Sequence, residues 1–118
     1  MTQLNRLLHA IRLLRRLGPQ LRASQIDLFL AVAIKPGQSQ TELARQCALT
    51  PAAVSRQIDV LGVTGRKDGT GGAAALLSLR RDPTDDRIWR VYLTPDGEQF
   101  ASLLTEILHD RLLQEEPQ

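Results

Sequence analysis

Arginine side chains are concentrated around one turn in the second half of the chain. The turn-forming segment 82–86 reads Asp-Pro-Thr-Asp-Asp, and four arginines surround it: Arg80, Arg81, Arg87 and Arg90. A guanidinium group presents a planar set of N–H donors that matches a phosphate or the edge of a guanine. Two β-type runs, 76–81 and 88–93, flank the turn, so the arginines are predicted to lie on a hairpin that contacts an anion.

The aspartates of this turn limit how the arginines could act. Unpaired, they would repel phosphate, so we expect at least one of the three to pair with an arginine and fix its direction. Alternation along the second run places Trp89, Val91 and Leu93 toward the rest of the protein, and Ile88, Arg90 and Tyr92 on the other side. The alternative is that these charges only solubilise an edge hairpin.

Charge is distributed unevenly along the 118 residues. Residues 1–90 carry fourteen basic and seven acidic side chains, whereas residues 91–118 carry one arginine and six acids. Thirteen of the fifteen basic residues are arginine. This asymmetry favours a polyanionic partner for the first ninety residues, the alternative being a solvated basic face without a partner.

Composition indicates one domain with an aliphatic, mainly helical core. The chain is 42% hydrophobic and only 3% aromatic, and its length suits a single core. No apolar run approaches the roughly 18 residues that span a bilayer, and arginines interrupt the first eighteen residues, unlike a secretory signal. The single cysteine, Cys47, excludes an intramolecular disulfide. We therefore expect a cytoplasmic protein.

Apolar spacing and capping residues predict five helices. The first covers 4–17, and the second begins with Ser24 as N-cap and ends at 35–37. The third opens with a capping box formed by Ser39 and Glu42. The last opens at Thr94 and Pro95 and extends to 113. The two terminal stripes are predicted to pair with a second copy, or else with each other within one chain.

Residues 39–61 have the layout of a helix-turn-helix. The fourth helix starts with Thr50 as N-cap and buries Val54, Ile58 and Leu61. In the DNA-binding form of this motif the second helix lies in the major groove. Six residues could then contact DNA, through small apolar surfaces, hydrogen bonds or a guanidinium: Thr50, Ala52, Ala53, Ser55, Arg56 and Gln57. The alternative is a pair of packed helices without DNA.

Between this motif and the hairpin lies a segment with five glycines in residues 62–72, so 62–75 is predicted to be a flexible loop. It lacks the residue order of a phosphate-binding loop. Cys47 has the spacing of a small core residue, and His9 and His109 lie far apart in sequence. We find no catalytic or metal-binding constellation and predict neither enzymatic activity nor a cofactor.

Taken together, these motifs resemble the MarR family of winged-helix transcriptional regulators over about residues 24–105. The matching pieces are Asp85-x-Arg87, Val91-x-Leu93-Thr94-x-x-Gly97, Leu43-Ala44, Leu49-Thr50, Val54-Ser55-Arg56 and Leu61-x-x-x-Gly65. The resemblance implies a homodimeric DNA-binding regulator, usually a repressor. It also implies that Ser55 and Arg56 contact the major groove, and that Asp85 and Arg87 form the wing pair at the minor groove.

Two features depart from that family pattern. About ten residues, 66–75, precede the first wing strand; they either add a contact through Arg66 and Lys67 or form an idle loop. The sequence also ends about twenty residues after Gly97, so we expect no counterpart of the family's usual last dimerisation helix, and a dimer would use helices 4–17 and 95–113. The family often senses small aromatic acids, but no residue here marks an effector site.

The sequence therefore predicts a single winged-helix domain, 1–118, mainly α with five helices and a two- to three-stranded wing at 76–93. The predicted function is a cytoplasmic, homodimeric, sequence-specific regulator of transcription that binds double-stranded DNA at a pseudo-palindromic site. Arg81, Arg87 and Arg90 would add wing contacts to those of the fourth helix. The alternatives are a plasmid or phage DNA-binding protein for replication or partition, and a winged-helix module that binds proteins only.

Overall fold

The computed structural model describes residues 2–16, 21–61 and 75–109, which form five helices and three strands. The helices are α1 (Thr2–Arg15), α2 (Ala23–Ile34), α3 (Gln40–Gln46), α4 (Pro51–Leu61) and α5 (Pro95–His109). The strands are β1 (Gln38–Ser39), β2 (Leu77–Arg81) and β3 (Trp89–Leu93). The predicted architecture is confirmed. The predicted insertion 62–75, apart from Ala75, lies outside the described residues, as do Leu17 and residues 110–113 of the predicted terminal helices.

Short-range capping bonds begin three of the helices where the sequence predicts. At α3, the amide of Glu42 donates to Ser39 Oγ (3.1 Å) and the amide of Ser39 donates to Glu42 Oε1 (2.8 Å). At α4, Thr50 Oγ1 accepts from the amide of Ala53 (3.1 Å), and at α5, Thr94 Oγ1 accepts from the amide of Gly97 (2.9 Å). Each bond satisfies an amide that has no partner within its helix.

The predicted start of α2 is wrong. The N-cap is Arg22 rather than Ser24, because the side chain of Gln25 accepts a hydrogen bond from the Arg22 amide (2.8 Å). Ser24 lies inside the first turn, and its hydroxyl accepts instead from Gln57 Nε2 of α4 (2.9 Å). The hydroxyl of Ser24, predicted to cap α2, therefore makes a tertiary hydrogen bond with Gln57 instead.

The three strands form an antiparallel sheet in the order β1-β3-β2. The register pairs Gln38 with Val91 on one edge of β3 and Leu79 with Val91 on the other. Since β1 lies directly before α3, the sheet connects the helix-turn-helix to the hairpin of β2 and β3, which is the wing. The position of the wing relative to α4 is set through β3.

Aliphatic side chains from α2, α3, α4 and the sheet fill the core. The largest fully buried side chains are Leu28, Phe29, Val32, Leu43, Val54, Ile58, Leu61, Leu76, Leu77 and Val91. The rings of Phe29 and Phe100 pack edge to face at 5.8 Å and join α2 to α5. Cys47 is buried in this core, as predicted.

The predicted burial of one face of β3 is correct for two of its three residues. Val91 and Leu93 are buried, but Trp89 is 39% exposed. Trp89 is the residue of β3 next to the wing turn, and the guanidinium of Arg81 stacks over its ring at 4.8 Å. The core therefore ends before the wing does.

The terminal helices contact each other within the chain and still expose apolar side chains. Arg6 Nη1 donates to the carbonyl of Leu108 (3.4 Å), and Ala10 and Leu14 of α1 are buried in the core together with Leu104 of α5. Leucine and isoleucine side chains remain exposed on both helices: Leu4, Leu7, Leu8, Ile11, Leu103 and Leu108. Among the described helices, none is long and apolar enough to cross a membrane.

Gly97 is required by close packing between α5 and the start of the wing. A Cβ atom at this position would collide with the carbonyl oxygen of Leu76, whose backbone also receives a hydrogen bond from the amide of Thr94 (2.8 Å). We expect Gly97→Ala to lower the free energy of unfolding by about 1–3 kcal/mol, because backbone cannot yield as a flexible side chain does. Urea unfolding of this variant beside Glu98→Ala, an exposed neighbour, checks the prediction, and equal stabilities would contradict it.

Candidate nucleic-acid interface

The outward face of α4 is small, polar and supported from beneath. Ala52, Ser55 and Arg56 are exposed, whereas Val54 and Ile58 on the opposite face are buried. The turn that leads into the helix contains Ala48 at φ +56°, and the amide of Leu49 bonds to the carbonyl of Ala44 (2.9 Å). The buried side chains of α4 and the hydrogen-bonded turn before it therefore set the orientation of the exposed face of α4.

Of the other predicted contact residues, Ala53 and Gln57 are less accessible than that face, whereas Thr50 is exposed. Ala53 is half-buried, and the hydroxyl of Thr50 caps the helix. Gln57 is half-buried and points toward α2, where Nε2 bonds Ser24; within the described residues its buried Oε1 has no hydrogen-bond partner. Ala52, Ser55 and Arg56 are therefore the residues of the predicted set that α4 presents most openly.

At the wing tip, Asp85 and Arg87 form a bidentate ion pair. Arg87 Nε lies 3.1 Å from Asp85 Oδ1, Nη2 lies 3.1 Å from Oδ2, and the amide of Arg87 also donates to Oδ1 (3.1 Å). These bonds hold the pKa of Asp85 below its ordinary value and raise the pKa of Arg87. The Arg87 side chain is nevertheless 86% exposed, so its direction is set while its surface faces solvent.

At the start of the wing turn, Asp82 accepts a hydrogen bond from Arg90. Arg90 Nε donates to Asp82 Oδ2 (2.6 Å), and Nη1 donates to the carbonyl of Gly37 (2.9 Å) and lies 3.9 Å from Glu42 Oε1. The structure thus turns Arg90, predicted as a DNA contact, inward toward β1 and α3. The expectation that at least one aspartate of the turn pairs with an arginine is confirmed by both ion pairs.

Asp82 accepts further bonds from its own turn. Oδ1 receives the amide of Thr84 (2.7 Å), the hydroxyl of Thr84 (2.7 Å) and the amide of Asp85 (3.1 Å). Bonds from Thr84, and then the Arg90 guanidinium, hold the pKa of Asp82 well below its ordinary range. Its carboxylate therefore organises the turn as an anion.

The remaining wing arginines stack on aromatic rings. The guanidinium of Arg80 lies 4.4 Å from the ring centroid of Tyr92, and that of Arg81 lies 4.8 Å from the centroid of Trp89. Such stacking holds a cation against a ring while leaving it available to an anion. Sequence reasoning missed both stacks, although the cross-strand pairing of the two runs could have indicated them.

Within the described residues, no group of histidine, cysteine, aspartate and glutamate could hold a metal ion. Cys47 is buried, and desolvation followed by the charge of Asp27 raises the pKa of its thiol. The thiolate that reacts with oxidants is thereby disfavoured.

The depressed pKa of Asp82 predicts a pH-dependent contribution to stability. In the unfolded chain the pKa of an aspartate is about 3.9, whereas the pKa of Asp82 in the folded protein is lower. The ionised carboxylate therefore stabilises the fold in full above the unfolded pKa, and this stabilisation is lost as the pH falls through the folded pKa. We expect Asp82→Asn to be less stable than the wild type at neutral pH, and the difference to narrow below about pH 4. Urea unfolding at neutral pH and at a pH below about 4 measures the free energy of unfolding of both proteins, with Asp86→Asn as the control. A loss of stability in Asp82→Asn that grows in acid would contradict the prediction.

Comparison with known proteins identifies this architecture. No protein-family model matches the sequence, and no curated protein matches it. The structure is similar to the PcaV transcriptional regulator from Streptomyces coelicolor, at 21% identity and a TM-score of 0.60, covering 93% of this chain and 74% of that one. It is similar to a MarR-like transcriptional regulator from Thermotoga maritima (23% identity, TM-score 0.60, covering 91% and 74%).

A third similar structure is the transcriptional repressor CouR bound to a 23-mer DNA duplex, at 23% identity and a TM-score of 0.61, covering 96% of this chain and 73% of that one. At these identities the likeness concerns the fold. The chain therefore has the winged-helix fold of the MarR-type transcriptional regulators.

Proposed function

We propose that this protein binds double-stranded DNA in a sequence-specific manner and regulates transcription, as a homodimeric repressor on a pseudo-palindromic site. The observation that carries the proposal is Arg87, an exposed guanidinium that Asp85 holds in a set direction at the wing tip. The similarity to a repressor bound to a DNA duplex supports the same function.

In this proposal α4 enters the major groove. Its eleven residues form a short, capped cylinder of the size that the groove admits. Ala52 allows close approach to a thymine methyl group, Ser55 can exchange hydrogen bonds with a base edge, and Arg56 can reach a guanine or a phosphate. The buried side chains beneath these residues keep the helix from rotating.

The wing would contact the minor groove. A narrow minor groove concentrates negative potential and attracts an inserted arginine. The bidentate bond to Asp85 restricts the rotamers of Arg87, so less conformational entropy is lost on insertion. Asp82 and Asp85 are both paired with arginines, which offsets their repulsion of phosphate.

The apolar surface of α1 and α5 is proposed to bind a second copy of the chain. The exposed leucines and isoleucine of these helices form the kind of surface that a soluble protein covers with a partner. A two-fold axis would place two α4 helices in successive major grooves, with half-sites roughly one helical turn apart. The 23-mer duplex bound by CouR is long enough for such a pair of half-sites.

We propose that the protein acts on DNA in the cytoplasm. In this proposal the exposed polar groups of α4 and the wing recognise DNA and do not catalyse a reaction. Selection of bound sequences from a random DNA pool tests this at two salt concentrations. We expect a two-fold symmetric motif with half-sites about 34 Å apart, and affinity that falls steeply with salt as counterions are released. Absence of enrichment would contradict the proposal and favour a protein-binding module, and a repeated array would favour replication or partition.

Single substitutions separate the roles of the two arginines. Arg87→Ala should weaken binding to most sequences, because the minor-groove contact depends little on individual bases. Arg56→Ala should cost about 1–3 kcal/mol and relax the base preference at one position if it reads a guanine. Titrations on the selected site, with Arg15→Ala of α1 as the charge-matched control, measure both effects. An Arg87→Ala variant with wild-type affinity would remove the wing from the interface.

The dimer surface has its own test. Leu7 of α1 is 51% exposed, and Leu7→Glu should yield a folded monomer that binds the selected site far more weakly, since burying an unpaired carboxylate at the interface is costly. Sedimentation velocity and DNA titration measure the two effects. Ile34→Glu is the control, because Ile34 of α2 is 79% exposed and lies outside the proposed surface. A Leu7→Glu dimer with normal affinity would refute this interface.

A further inference from the structure

We infer that Arg90 is a positioning residue that holds the wing tip in place relative to the recognition helix; this inference rests on the proposed DNA-binding function. The sequence pattern grouped Arg90 with the arginines that contact DNA. Its bonds assign it a different task, which is to connect the helix-turn-helix to the turn that carries Arg87.

Backbone pairing alone holds the outer wing weakly. β1 has two residues, and its pairing with β3 ends at Ser39 and Arg90, so Trp89 and the turn beyond it are paired only within the hairpin. Two-stranded ribbons twist more readily than wider sheets. Arg90 is thus the last residue of β3 that is paired on both edges, and its side chain continues the connection where the backbone stops.

The guanidinium of Arg90 joins three segments. Nε bonds the carboxylate of Asp82 in the wing (2.6 Å), Nη1 bonds the carbonyl of Gly37 before β1 (2.9 Å), and Glu42 of α3 lies 3.9 Å away. Gly37 is itself anchored, because its amide donates to the carbonyl of Val91 (2.9 Å). Arginine suits this position because its donors diverge at fixed angles, which a single ammonium cannot reproduce.

Asp82 carries the connection onward to the tip. The carboxylate that binds Arg90 also accepts the amides of Thr84 and Asp85, at 2.7 and 3.1 Å. Asp85 in turn fixes the guanidinium of Arg87. A continuous series of hydrogen bonds therefore runs from Gly37 through Arg90, Asp82 and Asp85 to the residue proposed to enter the minor groove.

Exposure supports positioning rather than direct contact. The side chain of Arg90 is 31% exposed and that of its partner Asp82 only 10%, against 86% for Arg87. An arginine that reached into a groove would have to leave Asp82 as an unpaired anion next to the phosphates. When the ion pair is kept, Arg90 supports the turn and neutralises the carboxylate of Asp82.

A double-mutant cycle on the full-length protein tests the inference. Arg90→Gln and Arg90→Lys are each made in the wild type and in Arg87→Ala, and affinity for the selected DNA site is titrated at fixed salt. We expect each to weaken binding about tenfold in the wild type and less than about twofold in Arg87→Ala, since a positioning residue loses its effect once the group it positions is gone. Arg90→Lys keeps the positive charge, so it would retain most affinity if Arg90 acted as a phosphate contact.

Arg80→Gln is the matched control, because Arg80 is the cross-strand partner of Arg90 and takes no part in the series of bonds. Any effect that it has on affinity should be the same in both backgrounds. Circular dichroism checks that each variant is folded. If Arg90→Gln does not fold, the comparison is made with Arg90→Lys alone. In the DNA-free protein, the Nε–Hε proton of Arg90 should be protected from exchange and should lose that protection in Asp82→Asn.

Outcomes separate this inference from the proposed function. Equal losses in both backgrounds would show that Arg90 contacts DNA itself, and unchanged affinity of both Arg90 variants would show that it has no role; either result overturns the inference while DNA binding stands. A wild-type protein that bound no DNA at any salt concentration would overturn the proposed function and the inference together.

Discussion

The central position of β3 is the constraint on which the rest of the structure depends. One edge of β3 pairs with β1, which leads into the helix-turn-helix, and the other pairs with β2, which forms the wing. Val91, at the middle of the strand, is fully buried and has a register partner on each side, Gln38 in β1 and Leu79 in β2. A shift of one residue would expose Val91 and Leu93 and bury the charged Arg90, so burial enforces the register. Helix α4 and the wing are thereby held in a fixed relative position.

Two ion pairs stabilise the wing in addition to the sheet. The wing carries both the arginines and the acids that could oppose them, and the structure resolves this conflict by pairing. Asp82 pairs with Arg90 where the wing turn begins, and Asp85 pairs with Arg87 at the tip. The first pair serves the fold and the second directs an exposed cation outward. The same residue types thus perform a structural task and a proposed recognition task within the same hairpin.

Local patterns were sufficient for much of the fold but not for the long-range hydrogen bonds of two polar side chains, Gln57 and Arg90. The caps at Ser39, Thr50 and Thr94 were predictable because each bond joins residues three positions apart. Gln57 and Arg90 were both assigned to the DNA-facing surface, yet their side chains bond partners 33 and 53 positions away. Contacts at such separation depend on the packed structure, and no helical or strand periodicity encodes them. The Asp85–Arg87 pair spans two positions and was foreseen.

Chemical footprinting of the protein on its selected DNA site tests the proposed contacts of α4 and Arg87 together. Dimethyl sulfate methylates guanine N7 in the major groove and adenine N3 in the minor groove, so it reports the two proposed contacts separately. We expect guanine protection in two half-sites about one helical turn apart, with adenine protection beside them that disappears in Arg87→Ala. Protection without two-fold symmetry, or adenine protection that persists in Arg87→Ala, would contradict it.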